Sequence, residues 1–591
     1  MRNRILIIIF LVFSVFSYSQ STTFALAENY FRNNEYEKAA EFYKQLVQKS
    51  PYNTTYLKKL VSCYQEMNRF DFAESLLTDK LSKRKNLSFL NVLLGYNYER
   101  QQKTDLAEKY YRKAIESIKD KSGYGSIIAS MFKDYSKLDL AIEAYGEASK
   151  QNENVNYGFQ IAQIYGEKGD FNLMFESYLN YLDTNENYLN TVKRYTARYV
   201  TDDGEDPNNI LFKKALLRKS ASNPKDVWND LLSWLFIKQK DYGKAFIQKK
   251  ALYQRNSESL FQIHELGQIA FDDNEFESAK KCFDYVIENT DHDGDKFHAI
   301  LMNLQIAVKT NDPETEQKFQ QTFTEYGIDR GTFAIQVLYA DYLTFNKNLP
   351  EKAKNTLEKA LKFSVNKYQK AEAQLKLADV LVYQNTFNKA LIYFSQVQTR
   401  FKNHELGQKA RFKVAQTSYF KSDFKWAKAQ LKVLKGSATQ LIANDAADLF
   451  LTISDNQPQD SIPSGLKLYA KADLLAYQNK DTAAISILNT ILNKYKGQPI
   501  EDEALFKQAE LFSKSKKYDK AITNYLSIIE IDDQGILVDD AYYLMAQLYE
   551  NKLDDVEKAK EYYQKIVFNY PSSIYLVDAR KRYRKLRGDT I

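Results

Sequence analysis

The sequence predicts an all-α protein built as a solenoid of antiparallel helix hairpins. A small residue recurs every 34 residues in the N-terminal part, at Ala39, Ala73, Ala107 and Ala141. The 591 residues include only 9 Pro and 19 Gly, and no strand-like alternation of apolar and polar residues is sustained. A repeat of this length indicates stacked supersecondary units, whose core grows in one dimension with the chain.

One unit shows how each hairpin forms. Tyr98 lies before a polar break at residues 101–105, and Ala107 and Tyr111 follow it at helical spacing. Gly95 and Ala107 are small enough to let two helices approach to about 8–10 Å. The two tyrosines then fill the space between neighbouring hairpins. Because a single hairpin cannot bury its own apolar face, stacking is required.

These spacings resemble the tetratricopeptide repeat, a helix–turn–helix unit of 34 residues. The resemblance implies a right-handed superhelical solenoid. In the C-terminal half the period lengthens, since Ala353, Ala390 and Ala427 lie 37 residues apart. That longer form, with the segment 569–573 before the last helix, resembles repeats of bacterial envelope proteins. The structural repeat positions are predicted at Ala39, Ala73, Gly95, Ala107, Ala141, Gly267, Ala279, Ala390, Ala427, Ala484, Ala521 and Ala559.

The N-terminus has the pattern of a secretory signal peptide. Arg2 and Arg4 precede an apolar run over 5–16, and residues 17–19 supply small side chains for cleavage. The run is shorter than the roughly 20 residues of a membrane-spanning helix, although an uncleaved anchor is the alternative. We expect residues 1–19 to be removed, leaving no transmembrane helix. The Lys-, Asn- and Tyr-rich composition resembles exported proteins of Bacteroidota-type bacteria, so we expect the periplasm or the periplasmic face of the outer membrane.

The organisation of the remaining chain follows from the repeat markers and their gaps. Met174 and Ala245 are 71 residues apart, which leaves room for one degenerate unit, and Pro458 and Pro463 mark a linker. The predicted segments are an N-terminal array with the 34-residue period (20–184), a degenerate helical segment (185–225), a middle array (226–335), a C-terminal array with the 37-residue period (336–454), a linker (455–465) and the last units with a capping helix (466–591).

The residues that usually carry chemistry are sparse. With four His and two Cys the chain shows no zinc spacing, and it has no phosphate loop and no nucleophile elbow. We therefore predict no catalytic residue, no metal site and no cofactor. Cys63 and Cys282 are expected to be buried small residues. Counted from Asp291, the acidic stretch 291–295 places Lys296 at the sixth position, where a calcium loop needs Gly, and Met302 at the twelfth, where it needs Glu, so we expect a solvated loop there.

Two surfaces are candidates for binding. Solenoids of this kind bind in the concave groove lined by the first helix of each unit. Candidate contacts on those helices are Lys58, Gln65, Phe89, Tyr96, Glu99 and Arg100. They do not form the repeated Lys/Asn pattern with which part of the family grips peptide C-termini. On the last helix, Arg580, Arg584 and Arg587 either form a polar cap or contact an anionic partner, such as lipid head groups or a cell-wall polymer.

The sequence therefore predicts a non-catalytic scaffold of the bacterial cell envelope that binds protein partners on its concave surface, with outer-membrane or peptidoglycan association as a further expectation. The first alternative is a glycan- or cell-wall-binding module, because 44 Tyr and 36 Phe offer surfaces on which sugars stack. The second is an enzyme using groove carboxylates, which would require raised pKa values. A formal net charge of +7 spread along an exported chain argues against a nucleic-acid partner.

Overall fold

The computed structural model describes residues 23–51, 53–83, 87–152, 155–256, 260–434, 440–457 and 465–589. Over these residues the regular structure is helical, without strands, which confirms the predicted all-α fold. The predicted signal peptide, and residues 458–464 of the predicted linker, lie outside them. The chain divides into two compact units, residues 1–282 and 283–591, and each is described by itself.

Unit 1 consists of consecutive helix pairs joined by short turns. Its helices are α1 (23–32), α2 (Tyr36–Lys49), α3 (Thr54–Glu66), α4 (Phe70–Lys83), α5 (Leu90–Glu99), α6 (Thr104–Asp120), α7 (Tyr124–Asp134), α8 (Leu138–Gln151), α9 (Gly158–Lys168), α10 (Phe171–Thr184), α11 (Leu189–Thr196), α12 (Pro207–Ser222), α13 (Asp226–Lys238), α14 (Tyr242–Arg255), α15 (Phe261–Asp272) and α16 (Phe276–Asn289), the last containing the unit boundary.

Unit 2 continues with the same kind of pair and one additional helix, α25. Its helices are α17 (Asp293–Lys309), α18 (Thr315–Tyr326), α19 (Phe333–Phe345), α20 (Pro350–Phe363), α21 (Lys367–Tyr383), α22 (Phe387–Arg400), α23 (Glu405–Phe420), α24 (Phe424–Leu434), α25 (Gln440–Asp455), α26 (Leu466–Tyr477), α27 (Asp481–Lys494), α28 (Ile500–Lys514), α29 (Tyr518–Ile531), α30 (Val538–Asn551), α31 (Val556–Asn569) and α32 (Leu576–Arg587).

The small repeat positions lie where the two helices of a hairpin meet. All twelve predicted positions are buried. Gly95 shows why small size is needed: a Cβ there would lie 2.4 Å from the ring of Tyr111 and 3.1 Å from the carbonyl oxygen of Ala107. Such contacts require the neighbouring atoms to move, so the close packing of α5 on α6 depends on the absence of a side chain at this position.

The turns inside the hairpins share one backbone conformation. The second turn residue has a positive φ, as at Asn34, where φ is 60°. The amide of Asn34 donates to Phe31 O at 3.1 Å and that of Glu35 to Tyr30 O at 2.9 Å, which is the Schellman arrangement that satisfies the last carbonyls of a helix. The non-glycine residues with positive φ are Asn34, Asn68, Gln102, Ser136, Lys240, Asn274, Asn311, Asn348, Asn385, Ser422, Asn479, Lys516 and Asp554.

Asparagine is the commonest residue at these turns because its short polar side chain tolerates the left-handed region better than most. In most hairpins the left-handed residue stands five positions before the buried small residue of the second helix, as Asn34 does before Ala39. The repeat therefore has a second marker besides the small residue. Gly169 supplies the same conformation between α9 and α10, with φ of 78°.

The predicted degenerate segment 185–225 contains a helix pair of altered form. Its first helix, α11, has only eight residues, and a loop rather than a three-residue turn precedes α12. Asn209 organises that loop, since its Nδ2 donates to the carbonyl oxygens of Thr201 and Asp203. The carboxylate of Asp206 accepts from the amides of Asn208 and Asn209 and caps α12. The repeat pattern is therefore absent from this segment because a longer loop replaces the short turn of the other hairpins.

Candidate interaction groove

The first helices of successive hairpins in unit 2 lie side by side, and charged residues join them. We call the surface formed by α19, α21, α23, α26 and α28 the first-helix face. Each of three lysines pairs with an aspartate 34 or 35 residues earlier, one repeat back along the chain. The Nζ–Oδ1 pairs are Lys376–Asp341 at 2.7 Å, Lys413–Asp379 at 3.1 Å and Lys507–Asp473 at 3.5 Å. The ion pairs thus join the first helices of neighbouring hairpins.

A pocket of about 420 Å³ opens on this face between α21 and α23. Its size lies in the range of small-ligand sites, about 300–1,000 Å³. It presents three lysines, two carboxylates, two leucines, two side-chain amides and one tyrosine. The lining residues are Asn366, Tyr368, Gln369, Glu372, Leu375, Lys376, Asp379, Leu406, Lys409 and Lys413. The pocket therefore offers charges of both signs beside apolar surface.

Charge interactions in the pocket are strong enough to move pKa values. Desolvation between the helices raises the pKa of Glu372, although Lys376 and Lys409 favour its ionised form. Desolvation also disfavours the charged form of Lys376, but Asp341 and Asp379 outweigh it, and the pKa of Lys376 is raised. Lys376 is thus held in its charged form by Asp341 and Asp379, while Glu372 lines the pocket.

An acidic cluster lies further along the same face. We define it as Asp455 of α25, Asp473 of α26, and Asp502 and Glu503 of α28. Desolvation, followed by the charges of Asp502, Asp473 and Asp455, raises the pKa of Glu503 to about 7, against the attraction of Lys507. The pKa of Asp473 is raised by its burial, although Lys507 pairs with it. Because several acids share one close cation, the protonated form of Glu503 is favoured up to about pH 7.

A set of hydrogen bonds joins hairpins that are far apart in sequence. The Nε2 of Gln478 donates to Tyr383 O and to Asn385 Oδ1, both at 2.9 Å. The Nδ2 of Asn479 donates to Phe345 O at 2.7 Å, and the hydroxyl of Tyr383 donates to Gln478 O at 3.1 Å. We call these five residues the 345–479 clasp. It fastens the turn after α26 to the C-terminal ends of α19 and α21.

Four of the groove residues predicted in unit 1 border solvent and have partners there. Lys58 pairs with Asp134 at 3.6 Å, and Arg100 pairs with Glu66 at 2.9 Å. The ring of Tyr96 stacks on that of Tyr135, with 4.1 Å between centroids. Glu99 accepts a hydrogen bond from Tyr111 at 2.8 Å and pairs with Lys137. These contacts tie neighbouring hairpins together, and a role in partner binding stays a prediction.

The other two predicted groove residues are buried, which corrects the expectation that they face a partner. Phe89 is 5% exposed and packs in the core just before α5. Gln65 is 1% exposed, and its Nε2 donates to Asn97 Oδ1 at 3.4 Å. A helix that packs against neighbours on several sides exposes few of its residues. The helical spacing alone therefore predicted more solvent-facing positions than the structure has.

The three arginines predicted to contact an anion all belong to the exposed side of α32. Arg580 is exposed, Arg584 lies 3.5 Å from Asp589, and Arg587 pairs with the same carboxylate. Arg582, on the other side of the helix, instead pairs with Glu550 at 2.9 Å. One side of α32 therefore carries an arginine that pairs with the preceding hairpin, and the other side carries arginines that face solvent.

The described part of the chain also bears on metal sites, reactive thiols and membrane-spanning helices. No group of three or more His, Cys, Asp and Glu there is arranged to hold a metal ion. Cys63 and Cys282 are free and buried, and burial raises the pKa of each thiol to about 12. None of the helices in these segments combines the length and apolarity needed to cross a membrane.

Sequence reasoning missed the pocket and the clasp. The Lys–Asp spacing of 34 or 35 residues was visible in the sequence and would have indicated the ion pairs beside the pocket. No such signal exists for the clasp, whose partners are 93 to 134 residues apart and unrelated by the repeat.

Comparison with known proteins finds the repeat in both units. Sequence models of the family described as tetratricopeptide repeat match residues 23–51, 90–121, 503–533 and 540–573. A TPR repeat-containing protein of Methanocaldococcus jannaschii is 23% identical over 266 residues, which are 44% of this chain and 42% of that protein. This chain therefore matches only about two-fifths of the relative's length.

Among solved structures, yeast Tom70 is similar over 96% of this chain and 99% of its own, with 14% identity and a TM-score of 0.28. Naa15/Naa10 bound to HypK-THB is similar over 96% and 97%, with 13% identity and a TM-score of 0.28. Scores this low carry no argument about function. The family matches and the hairpin geometry together show that this chain contains tetratricopeptide repeats.

Proposed function

We propose that the protein is a non-catalytic scaffold that binds an extended polypeptide segment along the first-helix face of unit 2. The observation that carries the proposal is the pocket between α21 and α23, where charges of both signs stand beside leucines and side-chain amides. Its 420 Å³ accommodate one or two side chains rather than a folded domain.

The chemistry of the lining fits a peptide of mixed charge. Lys409 is exposed at the pocket and attracts an acidic side chain, while Glu372 attracts a basic one. Asn366 and Gln369 can both donate to and accept from a peptide backbone, whose amide and carbonyl groups must be satisfied when covered. Leu375 and Leu406 add apolar contact. A mixed surface of this kind selects a partner by charge pattern more than by area.

We place this scaffold in the bacterial cell envelope. The support is the sequence pattern of residues 1–19, together with the composition that resembles exported proteins.

Site-specific photo-crosslinking in cells tests the proposal. A photo-reactive amino acid replaces Lys409 at the pocket and, as the control, Lys359, which is exposed on the second helix α20. We expect position 409 to give an adduct with one or two envelope proteins that position 359 does not give. The adduct should weaken when Glu372→Gln is added, because the change removes the negative charge that attracts a basic side chain.

Identical adducts at the two positions, or crosslinks within the chain only, would overturn the proposal. If the protein instead co-sediments with purified cell wall, the glycan-binding alternative gains support.

A second candidate function is acid–base catalysis by the acidic cluster. It is favoured by Glu503, because a carboxyl group with a pKa of about 7 can act as a general acid near neutral pH. The test incubates the full-length protein and its Glu503→Gln variant with soluble cell-wall fragments. Turnover lost in the variant supports catalysis, and no turnover by either protein rejects it for this substrate class.

A further inference from the structure

The last described helix, α32, has one side packed and one side in solvent. Ala579 is buried, and Tyr583 and Leu586 pack in the core formed with α30 and α31. On the outer side, Ile574 just before the helix is 83% exposed and Val577 in its first turn is 79% exposed. These two are the most exposed large apolar side chains among the described residues. A helix that is packed in the core thus presents apolar groups to water. Hydration of these groups is unfavourable, and a partner that covers them would remove that unfavourable free energy.

Cations continue the same side of the helix. Arg580, Lys581 and Lys585 are exposed one to three turns after the apolar pair, and Lys581 also interacts electrostatically with Asp578. Arg584 and Arg587 are also exposed, although Asp589 partly neutralises them. We define the α32 face as Ile574, Val577, Arg580, Lys581 and Lys585. It combines an apolar tip with net positive charge.

We propose that the α32 face binds the surface of an anionic lipid bilayer, with Ile574 and Val577 among the head groups and the three cations against lipid phosphates. Such a surface is the partner that offers negative charge and apolar depth together. The inference is independent of the peptide-binding proposal for the pocket between α21 and α23, since it concerns a different helix and a different ligand.

Other polyanions and proteins fit the face less well. A nucleic acid or a hydrated cell-wall polymer would satisfy the cations but leave Ile574 and Val577 in water. A protein interface normally excludes lysine from its centre, whereas Lys581 and Lys585 adjoin the apolar tip here. At a bilayer, long cationic side chains extend to the phosphates while their stems stay near the apolar zone. The charge and the apolar tip therefore point to lipid.

Co-sedimentation of the full-length chain with vesicles tests this. Vesicles of phosphatidylcholine are compared with vesicles that also contain phosphatidylglycerol. We expect binding that depends on phosphatidylglycerol and weakens with salt. Arg580→Gln with Lys585→Gln should weaken it about thirtyfold, since each cation near an anionic surface contributes roughly a fivefold gain in affinity. Ile574→Ser with Val577→Ser should weaken it by about tenfold or more.

The matched control changes exposed residues of the same types elsewhere in unit 2. Lys359→Gln with Ile392→Ser, where Ile392 is exposed on α22, should leave binding unchanged. All altered side chains are exposed, so thermal melting should match the parent chain, and any change in melting identifies a folding effect. Binding contributed by residues 1–22 is common to every variant and cancels in the comparison.

Three results would overturn the proposal. Absence of binding to either vesicle rejects it, as does binding that the α32 variants and the control reduce equally. Loss with the cation variant but full binding by the Ile574→Ser, Val577→Ser variant would show contact with charge alone and no insertion. As a direct readout, Ile574→Trp should be quenched by brominated lipid in phosphatidylglycerol vesicles and not in phosphatidylcholine vesicles.

Discussion

Replacement of Glu503 by Gln should change how the stability of α28 depends on pH. The pKa of Glu503 rises from an ordinary value of 4.5 to about 7 in the folded chain. Between these values the folded protein binds the proton more tightly than the unfolded chain does. The free energy of opening is therefore largest below about pH 4.5 and falls as the pH rises. Above about pH 7 the contribution of Glu503 is lost completely.

The size of the effect follows from the same shift. A rise from 4.5 to about 7 corresponds to at most about 3 kcal/mol. Glu503 is partly exposed and solvent screens its interactions, so we expect a loss of about 1–2 kcal/mol between pH 5 and pH 8. The Gln side chain carries no charge and should remove that part of the slope. Asp473 and Asp502, whose pKa values are also raised, leave a smaller slope of the same sign.

Native-state hydrogen exchange of the α28 amides measures this directly, because global unfolding of a chain with two units is not a single transition. Opening free energies are determined at pH 5 and pH 8 for the parent chain, for Glu503→Gln and for the control Glu358→Gln, an exposed residue of α20. A parent slope that persists unchanged in Glu503→Gln would refute the electrostatic account of the cluster.

Three further changes test the hairpins and the clasp. Gly95→Ala should destabilise unit 1 by about 1–3 kcal/mol, because its Cβ would meet the Tyr111 ring at 2.4 Å, and native-state hydrogen exchange of the α5 and α6 amides would measure the loss. Lys516→Gly should stabilise its hairpin by about 0.5–1 kcal/mol, since Gly adopts the φ of 60° without strain, and exchange protection in α28 and α29 should rise. Gln478→Ala removes the donor to Tyr383 O, and amides at the end of α21 should exchange faster, with those of α31 unchanged as an internal reference. No change at α21 would mean that the clasp contributes nothing to local stability.

The hairpins could be predicted from the sequence because their packing constraint is local. A small residue is needed wherever two helices approach, so Gly95 and the alanines recur at fixed spacing, and the twelve positions predicted from that spacing are buried. The turn conformation recurs as strictly, but its residues vary from Asn to Lys and Asp, since several side chains tolerate a left-handed residue at modest cost. A repeated backbone conformation is therefore harder to recognise in the sequence than a repeated requirement for a small side chain.

The candidate site was less predictable because it depends on which first helices come together. Lys376 lies 35 residues after Asp341, close to the 37-residue period of this half of the chain, so that ion pair could have been predicted from the sequence. The burial of Phe89 could not, because its exposure depends on how neighbouring hairpins cover α5. The clasp depends on the path of the chain through α25, which interrupts the regular period between α24 and α26. Signal-peptide removal and envelope location concern residues outside the described segments and stay predictions.

The clasp also limits how this part of the protein can evolve. In an open solenoid a hairpin can be gained or lost by duplication or deletion, because each repeat contacts only its neighbours. Between Phe345 and Asn479 this freedom is removed, since one added hairpin would carry the Asn479 amide away from the Phe345 carbonyl. The repeat count in this stretch is therefore fixed by geometry, and homologous chains that retain the clasp should differ in length only outside it.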